Sequence, residues 1–200
     1  TINNLYEKIH IKCFVAIDAT GNANVAYKAG GQTRKLDIGK LQPISLLFRI
    51  SGVKNKIYEK VGIEDLKELI GEGVHSGMLP AKYLSISLIP KTCDAIINAT
   101  RVINIDHESI EDLTRAEMEG RQQIKPILSF LKNKVPGFEK VYLSSLASAV
   151  GVRDRRRIIG RYTLLSQDIL NGSKFKDSVA LGGYPMDIHN SKTKTVDFKE

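Results

Sequence analysis

Tyr83-Leu84-Ser85-Ile86-Ser87-Leu88-Ile89-Pro90-Lys91-Thr92-Cys93-Asp94-Ala95-Ile96-Ile97-Asn98-Ala99 holds two strand-like apolar runs, 83–89 and 93–99. Pro90-Lys91-Thr92 parts them and reads as a hairpin connection. A third such run lies upstream at 44–50, Ile-Ser-Leu-Leu-Phe-Arg-Ile, and ends at Ser51-Gly52. Downstream, residues 109–133 carry the longest helix signal, with Ile110, Leu113, Ile124, Ile127, Leu128 and Leu131 on one stripe. Ser109 could cap that helix; so could Thr114, which has Glu117 three residues on. Pro126 removes one backbone donor, which kinks the helix rather than ending it, because the stripe continues to Leu131. Hairpin-joined strands mixed with helices predict an α+β fold with a mixed or antiparallel sheet and one long helix.

The flanks are less regular. Residues 9–17, Ile-His-Ile-Lys-Cys-Phe-Val-Ala-Ile, read as a strand covered on both faces. They lead into Asp18-Ala19-Thr20-Gly21-Asn22-Ala23-Asn24, a short helix at 25–29 and the stop Gly30-Gly31. A short helix at 64–70 closes at Gly71 and Gly73. Residues 101–105 extend the second hairpin strand or form another, 139–149 form a strand or loop, and Ser166–Asn171 is helix-like. The polar segment after Asn190 reads as a frayed end.

Apolar residues make up 42% and charged residues 26% of the 200 residues, ordinary values for a packed globular chain. No apolar run reaches the roughly 18 residues that a membrane span requires. Cys13 and Cys93 lie in apolar runs and are expected to be small buried hydrophobes, which suits a reducing, cytoplasmic setting. The formal charge is +8. Half of it is concentrated in Gly151-Val152-Arg153-Asp154-Arg155-Arg156-Arg157-Ile158-Ile159-Gly160-Arg161. Clustered guanidinium groups suit a fixed carboxylate or phosphate, because each offers a planar fork of donors. If the run is extended, Arg153, Arg155 and Arg157 share a face; if helical, Arg153, Arg156 and Arg157 do. The competing reading is surface charge paired with Asp or Glu.

Two further stretches carry chemistry. Asp18-Ala19-Thr20-Gly21 follows an apolar strand, where small residues let another group approach the backbone; the plain alternative is a capped turn. Gly182-Gly183-Tyr184-Pro185-Met186-Asp187-Ile188-His189 places Asp187 and His189 on one face if extended, as partners in proton transfer. The remaining histidines lack ligand spacing, so no metal site is expected. There is no Gly-x-Gly-x-x-Gly fingerprint, Walker-type loop, Gly-x-Ser-x-Gly elbow or Cys-x-x-Cys pair.

Taken in order, these blocks resemble the bacterial FAD-dependent oxidoreductases with a GR2-type flavin-binding domain. The resemblance rests on Ile17-Asp18-Ala19-Thr20-Gly21-Asn22, Ala29-Gly30, and Gln42-Pro43 through Phe48 to Gly52-Val53. It continues with Asn98-Ala99-Thr100-Arg101-Val102, the helix Leu113-Thr114-Arg115-Ala116-Glu117-Met118-Glu119-Gly120-Arg121, and 135–139. It closes with the arginine run through Tyr162 and with 182–189, so it spans about residues 9–190. Asn22 and Asn24 stand where the family has acidic residues. Asp154 and Arg155 stand where it has Glu and Ser or Thr.

The resemblance implies a split flavin domain with a substrate-side insertion. Residues 1–39 would be the edge of the FAD-binding domain, 40–190 the substrate-side or cap domain, and 191–200 a polar tail. FAD would exchange hydride with a small organic, including anionic, substrate. Asp18, Ala19, Thr20 and Gly21 would back the cofactor, Arg153, Arg156 and Arg157 would line the substrate interface, and Asp187 and His189 would handle the proton. The partners implied are a small-molecule substrate and the remainder of the FAD-binding domain, with neither nucleic acid nor membrane. The chain is expected to be a fragment, inactive and unable to retain FAD alone. The alternative from another class is a non-catalytic interaction module, or an anion- or nucleic-acid-binding module using Arg153–Arg161.

Overall fold

A computed structural model describes residues 2–3, 7–183, 186–189 and 196–199. In chain order the elements are β1 (Ile2–Asn3), β2 (Lys8–Ile9), α1 (Asn24–Lys28), β3 (Thr33–Lys35), a 3-10 turn (Ile38–Lys40), β4 (Phe48–Ser51) and α2 (Asn55–Tyr58). There follow α3 (Ile63–His75), β5 (Ser85–Leu88), β6 (Asp94–Asn98), α4 (Ile110–Lys134), β7 (Tyr142–Leu146), β8 (Arg156–Ile158), α5 (Ser166–Leu170), β9 (Met186–His189) and β10 (Val196–Lys199). The class is α+β, as expected.

A four-stranded sheet of order β5-β6-β4-β7 forms the centre, and every pairing in it is antiparallel. The hairpin of residues 83–99 is its β5–β6 edge, with Ser85 opposite Asn98 and Leu88 opposite Ala95. Alternation sorts the side chains: Phe48, Ile50, Ala95 and Ile97 are buried, while Arg49 and Ile96 face outward. Against the buried face lies α4, contributing Ala116, Ile124, Ile127, Phe130 and Leu131 to one continuous core. Ser109 caps this helix, its side chain accepting from the Asp112 N–H, and the helix runs through Pro126. Thr114 instead lies within the first turns and donates to the Ile110 carbonyl at 2.8 Å.

Several boundaries differ from the sequence reading. Helix α3 does not close at Gly71 or Gly73 but passes through both. Gly73 is there because a Cβ would stand 2.7 Å from the Phe130 ring and 2.8 Å from Leu79, so helix packing and not termination selects glycine. The 44–50 run is ladder-paired only from Phe48, with isolated bridges at Ile44 and Ser45.

The run 9–17 is a strand only at its start, pairing with Ile2–Asn3. Ile11, Phe14, Val15 and Ile17 are exposed, Phe14 completely. Cys13 and Cys93, expected to be buried, are both exposed free thiols. Cys13 follows the exposure of its run, and Cys93 sits in the turn just before β6 and not within the strand. Beyond Asn190, Val196–Lys199 is a strand paired with Met186–His189, where the polar composition suggested fraying. No helix among the described residues is long and apolar enough to cross a membrane.

Candidate functional site

The long helix positions two loops. At Gly120 it comes close to the segment before β4, where a Cβ would meet Leu46 Cβ at 3.1 Å. One turn later Gln123 grips the backbone of Arg101: its Oε1 accepts from the Arg101 N–H at 2.7 Å, and its Nε2 donates to the Arg101 carbonyl at 2.8 Å. One turn earlier Glu117 accepts from the Val150 N–H at 2.7 Å. Burial tends to raise the Glu117 carboxyl, but Arg121 and the Val150 N–H outweigh it, and the net shift is downward.

These grips belong to a larger cross-linked frame. The buried Thr100 hydroxyl accepts from the Leu46 N–H at 2.6 Å and donates to the Leu46 carbonyl at 3.0 Å. Ile44 bridges Val102, and Ser45 bridges Gly151. Three segments (44–46, 98–102 and 150–151) are thus tied to one another and to α4 with their buried polar groups paired, which makes the region rigid.

A half-open cleft of about 20 Å³ lies over this frame, lined among others by Ser45, Tyr83, Asn98, Thr100, Arg101 and Arg153. None of its lining residues among those described is acidic. Burial lowers the Arg101 guanidinium below its ordinary value, though an arginine remains charged at any physiological pH.

The arginine run splits at this point. Arg156–Ile158 are extended, in β8, and pair antiparallel with Thr33–Lys35. Arg156 is buried; it pairs with Glu108, donates to Asn24 Oδ1 at 3.0 Å, and lies 4.2 Å above the Tyr27 ring. Arg155 pairs with Asp106 and lies 3.6 Å from Glu108. Arg157 pairs with Asp154. Arg153 makes no ion pair or hydrogen bond with the described residues and lines the cleft. The run is therefore two things: an internal tie at 155–157 and a cleft-lining cation at 153.

The acidic partners were missed in the sequence. Asp106-His107-Glu108 directly precedes the helix cap, and its only signal was two carboxylates flanking a histidine. Lys35, then burial acting in the opposite sense, then Arg156 and Arg155 set the Glu108 carboxyl, which ends below its ordinary value. Asp106 is raised by burial but lowered further by the Glu108 N–H and Arg155, for a net decrease. Burial lowers His107, whose Nε2 is buried without a hydrogen-bond partner among the described residues.

Asp18–Gly21 meets the arginine run through Asn22, whose Oδ1 accepts from the N–H groups of Arg155 at 3.0 Å and Arg156 at 2.6 Å. An asparagine serves here because its oxygen binds two backbone donors without adding a charge. Asp18 folds the turn on itself, accepting from the Thr20 N–H at 3.0 Å, the Thr20 hydroxyl at 2.6 Å and the Ala26 N–H at 2.9 Å. Those bonds, the Ala26 one foremost, lower the Asp18 carboxyl. Ala19, Thr20 and Gly21 are exposed, and Gly21 has φ +70°. The backbone of Asp187 and His189 is in β9, but their side chains lie outside the described residues. Among the described residues no cluster of His, Cys, Asp and Glu could hold a metal ion.

A family model described as FAD dependent oxidoreductase matches residues 1–199. No curated protein and no solved structure matches the chain.

Proposed function

Because the chain belongs to the FAD dependent oxidoreductase family, we propose that it forms the substrate-facing part of an enzyme moving hydride between FAD and a small, anionic organic molecule. The observation that carries this reading is the docking of Asn22, directly after Asp18–Gly21, onto the backbone of Arg155 and Arg156. It couples the segment expected to back the flavin to the segment that ends at the cleft.

The residues fit part of a flavin site. The Asp18 carboxylate is engaged by its own turn, so it does not reach outward. What remains for a flavin is the exposed backbone of Ala19, Thr20 and Gly21, and a Cβ built at Gly21 meets nothing within 4 Å. This suits a wall against the cofactor and not a pyrophosphate cradle, which needs glycine-rich backbone at a longer helix N-terminus. FAD, when bound, supplies the hydride acceptor or donor. Arg153 would hold the substrate anion, and the carboxylate-paired Arg156 and Arg157 would keep β8 and the turn in register. Asp187 and His189, alternate residues of an extended segment, would exchange the proton.

The exposed apolar run Ile11–Ile17 supports a seam with the remainder of the FAD-binding domain, since an uncovered patch of this kind marks a contact surface. Exposed, unbridged Cys13 and Cys93 suit a reducing compartment, and we assign the protein to the cytoplasm. A polyanion-binding reading is disfavoured because Asp106, Glu108 and Asp154 neutralise most of the arginine run.

The test is to purify the gene product that carries this chain and assay FAD released on denaturation. Near-stoichiometric FAD supports the proposal, and folded protein without flavin rejects it. The 200 residues alone should not retain FAD; a yellow preparation of them would overturn that part.

A further inference from the structure

We propose that Asn171 is a modification site, where the backbone nitrogen of Gly172 closes onto the side-chain amide and converts the residue to aspartate and isoaspartate. This stands independently of the flavin reading above. Asn171-Gly172 is the sole Asn-Gly pair in the 200 residues, and both residues are exposed. A carboxamide is a weak electrophile, so attack by the next backbone nitrogen needs close approach. Glycine at that next position has no Cβ to obstruct it.

The local fold presents the pair. Asn171 caps the C-terminal end of α5 with φ −87° and ψ −2°, and Gly172 follows at φ +58°. Gln167, one turn back, donates from Nε2 to Asn171 Oδ1 at 3.1 Å. That oxygen gains charge as the nitrogen attacks, so the Gln167 donor stabilises the addition. In the closed turn the Gly172 N–H donates to the Ile169 carbonyl at 3.1 Å. Rotation about ψ of Asn171 releases it and leaves Gln167 in place. Such opening is easy here, because α5 is five residues long and has no buried residue.

The step needs only water. The Gly172 nitrogen loses its proton and bonds to Asn171 Cγ, the Cγ–Nδ2 bond breaks, and ammonia leaves with the proton. Water then opens the cyclic imide at one of its two carbonyls. Opening at Cγ gives aspartate, and opening at the backbone carbonyl gives isoaspartate. Either product sets a carboxylate at the C-terminal end of α5, where the helix dipole disfavours it. Isoaspartate also adds a methylene to the main chain between the Asp168 carbonyl and the Ser173 N–H, which are hydrogen-bonded at 2.9 Å. The turn therefore does not reclose in its original form.

The test incubates the 200-residue chain at mildly alkaline pH and follows each asparagine by peptide mass mapping, with isoaspartate read by an isoaspartyl methyltransferase. Asn171 is expected to convert first, to both products. Asn22 is expected to stay intact, since it precedes Ala23 and its Oδ1 is held by the Arg155 and Arg156 N–H groups. Gly172→Ala should slow conversion at Asn171 about 10-fold or more, while Gln167→Glu, which alters only an exposed side chain, should leave Asn22 intact. The comparison of Asn171 with Asn22 is made in the unaltered chain, so it stands whether or not a variant folds. Asn171 remaining intact, Asn22 converting as fast as Asn171, or an unchanged rate in Gly172→Ala would each overturn the proposal.

Discussion

The Gln123 side-chain amide meets the peptide of Arg101 at both of its polar ends, accepting at 2.7 Å and donating at 2.8 Å. A residue in the middle of the long helix thereby fixes a loop that the helix does not otherwise contain. Gln123→Ala should strip both partners from a half-buried backbone and destabilise the fold by about 1–3 kcal/mol. Gln123→Glu keeps an acceptor for the N–H but sets a carboxylate against the carbonyl, so it should not rescue the loss. Urea unfolding with an unchanged m-value checks both variants.

Gly71 and Gly73 stand two residues apart in the same helix and should respond oppositely to alanine. At Gly71 nothing lies within 4 Å of the added Cβ, so Gly71→Ala should stabilise by about 0.5–1 kcal/mol through helix propensity. At Gly73 the Cβ would collide with Phe130 and Leu79. Gly73→Ala should therefore destabilise by about 1–3 kcal/mol through overpacking. Matching signs in thermal unfolding would contradict the packing described for α3 on α4.

This contrast shows where the sequence was legible. The hairpin at Pro90–Thr92 and the helix across Pro126 follow from period and turn chemistry, which are local. Gly73 misread as a helix end because its reason is Phe130, 57 positions away, and nothing in α3 alone reveals that neighbour. The site behaved likewise. The arginine run was visible as charge, but its division depended on Asp106, Glu108 and Asn22, which only the tertiary fold delivers. The run 9–17 read as a two-face-covered strand from its apolarity; the described residues provide that cover for almost none of it.

Acid should loosen the tie between β8 and the segment before α4. The Glu108 carboxyl is lowered from 4.5, first by Lys35 and, against the opposing effect of burial, by Arg156 and Arg155. A carboxyl depressed on folding stabilises fully above its unfolded value, here about 4.5, and that contribution is lost as pH falls through the folded value. Asp106, also lowered on balance, adds in the same sense. Glu108→Gln should flatten the fall in stability below pH 4.5 and lower stability at neutral pH, because the buried Arg156 loses its counter-charge. A melting-temperature profile unchanged by Glu108→Gln would show that the pair contributes nothing.

Cys13 and Cys93 provide a paired probe of the seam. Both thiols are exposed in the chain, and Cys13 lies within the bare apolar run. Thiol labelling should proceed at both in the 200-residue chain. In the full gene product, where the proposed seam would be covered, Cys13 should be protected while Cys93 still reacts. Equal labelling of Cys13 in both proteins would mean that the run is not a domain seam.

If the Arg153 cleft is the substrate side of a flavin site, the flavin itself reports on what binds there. The measurement is the absorption spectrum of the FAD-bearing gene product during titration with malonate. A carboxylate held by Arg153 near the ring should shift the flavin band saturably, with about 10- to 100-fold weaker binding in Arg153→Ala. A flavin band that malonate leaves unchanged, or that shifts equally in Arg153→Ala, would show that the cleft is not the substrate side.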